Sequence, residues 1–131
     1  MPIPAHLQEI PGSAELHDWF GYWPSFHDAE IISLHLNRKR PSSMHVHTWE
    51  MTKEVDEKGY FVLAKHVVVE FVIEGFRDLS ISGFNHQNVL FGIAIEKAER
   101  GFRVDLDPSY GIEGYFEADN ISFGLTPGEP S

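Results

Sequence analysis

The sequence predicts a mostly β protein with a minor α component: an antiparallel meander of about six to seven strands and one short N-terminal helix. Three observations lead there. From Ala29 onward apolar and polar residues alternate with period two. Turn-forming clusters such as RKRPSS (38–43) and ERG (99–101) interrupt the alternation at short intervals. Only residues 13–20 carry apolar side chains at helical spacing. Short turns with few helical intervals favour antiparallel pairing, in a sandwich or a partly rolled sheet.

The elements follow in order. Residues 1–12, MPIPAHLQEIPG, form a proline-rich lead-in to an ordered core over 13–125. Ser13 is positioned to N-cap a helix in which Leu16, Trp19 and Phe20 share a face, with Glu15 in the first turn. Gly21 ends it and Pro24 prevents its resumption. In the first strand Ile32, Leu34 and Leu36 alternate with Ser33, His35 and Asn37. The second covers 44–50, and a polar loop spans 52–59. A long strand over 60–74 places Leu63, Val67, Val69, Phe71 and Ile73 on one face, with His66, Glu70 and Glu74 on the other. Strands at 78–84, 89–98 and 102–107 follow, the last two joined by the 99–101 hairpin. A final strand at 113–125 precedes a frayed tail over 126–131. The 131 residues suit a single domain.

Charge narrows the function. Twenty acidic residues against ten basic ones give a formal charge of −10, which repels phosphate backbones and anionic lipid. Nucleic-acid and membrane partners are therefore not expected, whereas a basic protein is an electrostatic match. Solubility alone also accounts for such a charge. Cysteine is absent, so neither disulfides nor thiolate sites are available. The N-terminus lacks a basic stretch followed by an apolar one, and the apolar run at 67–73 is interrupted by Glu70; cytoplasmic residence is expected.

Two histidine motifs invite a catalytic reading. His27-Asp28 is the dipeptide used by helical metal phosphohydrolases, but this chain has too little helix to supply their further ligands, and a turn in which Asp28 accepts backbone hydrogen bonds explains it better. His45 and His47 share one strand face, and a hairpin aligning Leu36 with Met44 would set His35 opposite His45. Three imidazoles would then approach a zinc geometry, yet no supporting carboxylate is identifiable, and no metal or cofactor is assigned. No nucleophile elbow or phosphate-cradling glycine loop is present. Glu113 and Glu117 have the spacing of solvated acids on an outer strand face. Trp19, Tyr22, Trp23 and Phe26 cluster before the first strand, where core packing is the ordinary role of aromatics. Asn85, His86, Gln87 and Asn88 fill a turn and offer groups that can read a partner's backbone.

Four segments carry a resemblance: WPSFHDAEI at 23–31, HxHxWE at 45–50, FNHQNVL at 84–90 and SYGIEGYF at 109–116. Together they resemble the immunity protein 50 family, small bacterial proteins assigned to polymorphic toxin systems, from about Trp19 to Phe123. The resemblance implies a mostly β fold and a non-catalytic protein that binds and neutralises a cognate toxin, a basic nuclease being one fitting partner. It supplies no contact residues. From exposed chemistry, Trp23, His27, Asp28, Glu30, Asn85, His86 and Asn88 are the expected partner-binding positions. Two alternatives stay open: a metal-dependent hydrolase built on His35, His45 and His47, and a small-ligand or scaffold β domain.

Overall fold

Period-two alternation produces strands that are apolar on one side, and here they bury that side by curling into a ring. The computed structural model describes residues 1–130. A 3-10 turn (Ala5–Leu7) and helix α1 (Ser13–Phe20) precede six strands, β1 (Glu30–His35), β2 (Ser42–Val55), β3 (Phe61–Ser82), β4 (Val89–Lys97), β5 (Phe102–Tyr110) and β6 (Glu113–Pro127). They form one closed antiparallel barrel in the order β1-β2-β3-β6-β5-β4. Two three-stranded meanders thus meet along β3–β6 and again along β1–β4. A sandwich is excluded, and the rolled sheet goes to full closure, which leaves the ring without edges.

The β1–β4 junction is short. Asp28 N–H donates to the Leu90 carbonyl, Leu90 N–H to Ala29, and Ile31 N–H to Asn88, each at 2.9 Å. Asn88 also anchors the turn beside this seam. Its buried Oδ1 accepts from Asn85 N–H at 3.0 Å and Ile112 N–H at 3.1 Å, while its Nδ2 donates to the Asn85 carbonyl at 2.8 Å. One amide therefore ties the 83–88 connection to the β5–β6 turn.

Several boundaries differ from expectation for local reasons. The separate strands expected at 60–74 and 78–84 are one continuous β3, because the chain continues past Gly75 in register with β6 and then meets a bulge between Phe76 and Asp78 rather than a turn. Gly75 has φ +66°, and a Cβ there would lie 2.5 Å from Asp119 Oδ2. Asp119 in turn pairs with Arg77 and, at 2.9 Å, with Arg100 Nε, while Arg77 donates to the Arg100 carbonyl. A carboxylate on β6 thereby fastens β3 to the β4–β5 turn.

A second bulge, between Ile31 and Ser33, reverses the inward face of β1. Ile31 is buried, whereas Ile32 and Leu36, expected inside, are exposed. Leu34, not Leu36, pairs with Met44, and the turn is held by Asn37 N–H donating to Ser42 Oγ at 2.8 Å. The helix occupies the expected residues, but Gly12 rather than Ser13 is its N-cap; a Cβ at Gly12 would lie 2.1 Å from the Phe123 carbonyl. Ser13 Oγ instead donates to the Gln8 carbonyl.

The buried side chains form one cluster. Phe71 lies at its centre, with its ring edge-on to Phe26 at 5.8 Å and to Phe123 at 5.0 Å. The lead-in contributes Leu7 and Ile10, and Phe123 N–H donates to the Pro11 carbonyl. The expected tail continues β6 as far as Pro127, opposite Val67, and Gly128 N–H reaches the His66 carbonyl; Ser131 lies outside the described residues. Where Leu34, Met44, Ile81, Leu106 and Phe116 face one another, no space remains for a water-sized group. The barrel is filled by its own side chains, as small barrels are.

Beyond the ring, β2 and β3 continue as a two-stranded arm. Within the sheet β1 pairs with β2 only as far as His47, and β6 meets β3 from Val67 onward. Leu63, expected in the core, is therefore 40% exposed on the arm, with Met51, Val55 and Phe61. The polar loop contracts to residues 56–60 because both strands run further than the alternation indicates.

Asn88→Ala removes the acceptor of two backbone amides, and stranding such donors costs about 2–3 kcal/mol in total. For a chain of this size that corresponds to a fall in melting temperature of roughly 7–11 °C. Thermal unfolding followed by circular dichroism checks it; a melt within about 2 °C of the parent would contradict the anchoring role.

Candidate functional site

The link from α1 to β1 is built from unusual backbone. Phe26 and Asp28 both have left-handed φ, +63° and +65°. An aspartate tolerates this conformation; a phenylalanine does so only when its ring is held. Burial against Phe71 holds it. The zigzag points Phe26 inward and leaves His27 and Asp28 facing out, with His27 Nδ1 at 3.2 Å from Asp28 Oδ2. His27 N–H donates to Ser25 Oγ and Ala29 N–H to the Phe26 carbonyl, so the dipeptide shapes a turn.

The seam brings the two expected binding segments together. Residues 28–31 lie beside 88–90, and the His27 ring is 6.2 Å from that of Phe91. Glu30 lies on β1 opposite His47. Asn85 and His86 are exposed on the adjoining turn. Trp23 is half-buried, its ring 5.9 Å from Phe123, so it is shared between core and surface. Asn88 is only 2% exposed, and its amide is consumed by backbone partners. Its side chain is out of reach of a docking partner, and its part in this surface is to hold the turn.

The histidine trio expected from the sequence divides. His35 and His45 approach edge to face at 6.0 Å, although the register sets Ser33, not His35, opposite His45. His47 instead stacks on His66, with Nε2 3.0 Å from its Nδ1, and both rings lie near Trp49. The carboxylate missing from the sequence reading is Glu70, whose Oε2 is 3.2 Å from His45 Nε2 across the β2–β3 ladder. Among the described residues no three His, Cys, Asp or Glu side chains are arranged to hold a metal ion.

Sequence reasoning also missed the base of the arm. Trp49, Glu50 and Met51 line one cleft with Tyr22, Ser25, His27 and Asp28. Lys65, which itself has φ +54°, reaches from β3 to donate to the Phe20 carbonyl at 3.0 Å and lies 3.6 Å from Glu50. It neutralises the last turn of α1 and orients Glu50. Trp19 Nε1 donates to the Lys65 carbonyl, fixing the helix against the arm. Burial raises the Tyr22 phenol above its ordinary pKa, and Glu50 adds to the shift. Only strand pairing brings these residues together; the half-buried Trp49 of HxHxWE is their one trace in the sequence.

Fold and site define a small closed antiparallel barrel with a filled interior, whose distinctive chemistry lies on its outer surface. The Immunity protein 50 family model matches residues 12–125, and the chain belongs to that family. No curated protein and no solved structure matches the chain significantly. No helix among the described residues is long and apolar enough to cross a membrane.

His47 gives the outer face a pH dependence. Burial holds its pKa below the ordinary 6.5, and the neighbouring His66 lowers it further against the opposing pull of Glu129 and Glu30. The unfolded chain therefore takes up this proton first. The stability involved is complete above about 6.5 and is lost as pH falls from there through the folded value. Melting temperature compared at pH 7.5 and 5.5 is expected to fall less for His47→Gln than for the parent. Equal falls would show that His47 does not carry the effect.

Proposed function

We propose that this protein is a cytoplasmic bacterial immunity protein that binds and neutralises a cognate toxin of a polymorphic toxin system without catalysing a reaction. The family match across residues 12–125 carries the reading. The filled barrel supports it, because an internal ligand site would need space that the core side chains occupy. The division of His35, His45 and His47 into separate pairs weighs against the metal-hydrolase alternative. The formal charge of −10 favours a basic toxin, a nuclease being one example.

The proposed docking face is the outer side of the seam, with Trp23, His27, Asp28 and Glu30 on one flank and Asn85 and His86 on the other. The left-handed backbone at Phe26 supports this face, since strained conformations held by surrounding structure cluster at functional sites.

Co-expression with the toxin encoded beside the gene tests the proposal. The parent chain should restore growth, and Glu30→Lys should weaken protection while shifting the melting temperature by no more than about 2 °C. For a basic toxin, association should slow as salt is raised from 0.1 M to 1 M, over which the Debye length shrinks from about 10 Å to about 3 Å. Failure of the parent chain to bind or protect against that toxin would overturn the reading.

A further inference from the structure

The cleft at the base of the arm joins two kinds of chemistry. Its lining residues include the aromatics Tyr22 and Trp49, the acids Asp28 and Glu50, and His27 and Met51. Its volume is about 370 Å³, within the usual range of small-ligand pockets, about 300–1,000 Å³. Lys65, which lies against Glu50, is also engaged by the Phe20 carbonyl. Negative charge and aromatic faces thus meet in a site whose own lysine is turned toward the helix end.

We infer that this cleft receives a guanidinium group, the side chain of an arginine on the bound protein. A planar guanidinium stacks on an indole or phenol face while its N–H fork meets carboxylate oxygens; an ammonium offers a point charge without that match. The surroundings suit a protein-borne group. Met51 pairs with Leu63 on the arm, and both are exposed together with Val55 and Phe61. An arginine anchored in the cleft would lie beside this apolar ribbon, the arrangement in which arginine contributes most at interfaces. Identification of the arginine's source as a toxin rests on the immunity reading; the guanidinium preference of the cleft does not.

The test uses the intact chain and three small probes: N-acetyl-arginine amide, N-acetyl-lysine amide and the uncharged N-acetyl-citrulline amide. Each is titrated while the Trp49 indole N–H is followed by NMR, assigned with Trp49→Phe. The arginine probe should give a saturable shift in the millimolar range and bind at least about tenfold tighter than citrulline, with lysine between them. The double variant Asp28→Asn, Glu50→Gln should abolish the response with the rest of the spectrum unchanged, because asparagine also tolerates the left-handed backbone at position 28. An absent shift, or equal responses to arginine and citrulline, overturns the inference. If the double variant misfolds, the probe comparison on the parent chain still decides. Arginine binding without any toxin partner would sink the immunity reading and leave the cleft; protection from the toxin without arginine binding would do the reverse.

Discussion

Three backbone hydrogen bonds between residues 28–31 and 88–90 close the β1–β4 seam, whereas β3 and β6 share a ladder running from Val67 to Ser82. Without the seam, β1 and β4 would both be open edges, and the apolar faces of two meanders would lose their shared interior. The seam also determines the surface. It sets the α1–β1 link beside the 83–88 connection, two segments far apart in sequence, and so builds the face on which the functional reading rests.

So short a junction needs support from both sides. On one, Asn88 holds its turn through buried amide hydrogen bonds. On the other, Phe26 adopts a left-handed conformation, a strain of about 1–3 kcal/mol. Burying a phenylalanine side chain contributes about 1.5–3 kcal/mol, so the ring's place against Phe71 is enough to offset it. That anchor leaves His27 and Asp28 facing solvent. His27-Asp28, which resembles a metal-binding dipeptide in sequence, is therefore the outward half of a turn whose inward half is core.

Much of the fold was legible, and the limits have physical causes. Residues 13–20 have helical spacing and a terminating glycine, both local properties, and the helix lies there. Alternation located the strands but not their bulges. The extra residue at Ile32 exchanges the inner and outer faces of β1, and Gly75 resembles a turn while the strand continues past it to a bulge between Phe76 and Asp78. Closure depends on the pairing of Glu30 with Val89, which no local pattern records. Leu63 has the parity of a core residue but lies beyond the reach of β1 and β6, where no second layer covers it. The candidate site was legible only in its local features, for the same reason. His27, Asp28 and Glu30 announced themselves by exposed chemistry near a turn, whereas Glu50, Trp49, Glu70 and His66 acquire their partners only through cross-strand register.

On the proposed reading, the seam face, with the base of the arm beside it, is where this barrel of the Immunity protein 50 family meets a toxin. Hydrogen–deuterium exchange of the chain alone and mixed with the toxin encoded beside the gene is the decisive measurement. Exchange should slow over residues 22–31, 47–51 and 85–91 on binding, with the outer face of β5–β6 unchanged. Slowing confined to residues 102–118, with 22–31 exchanging as in the free chain, would contradict it.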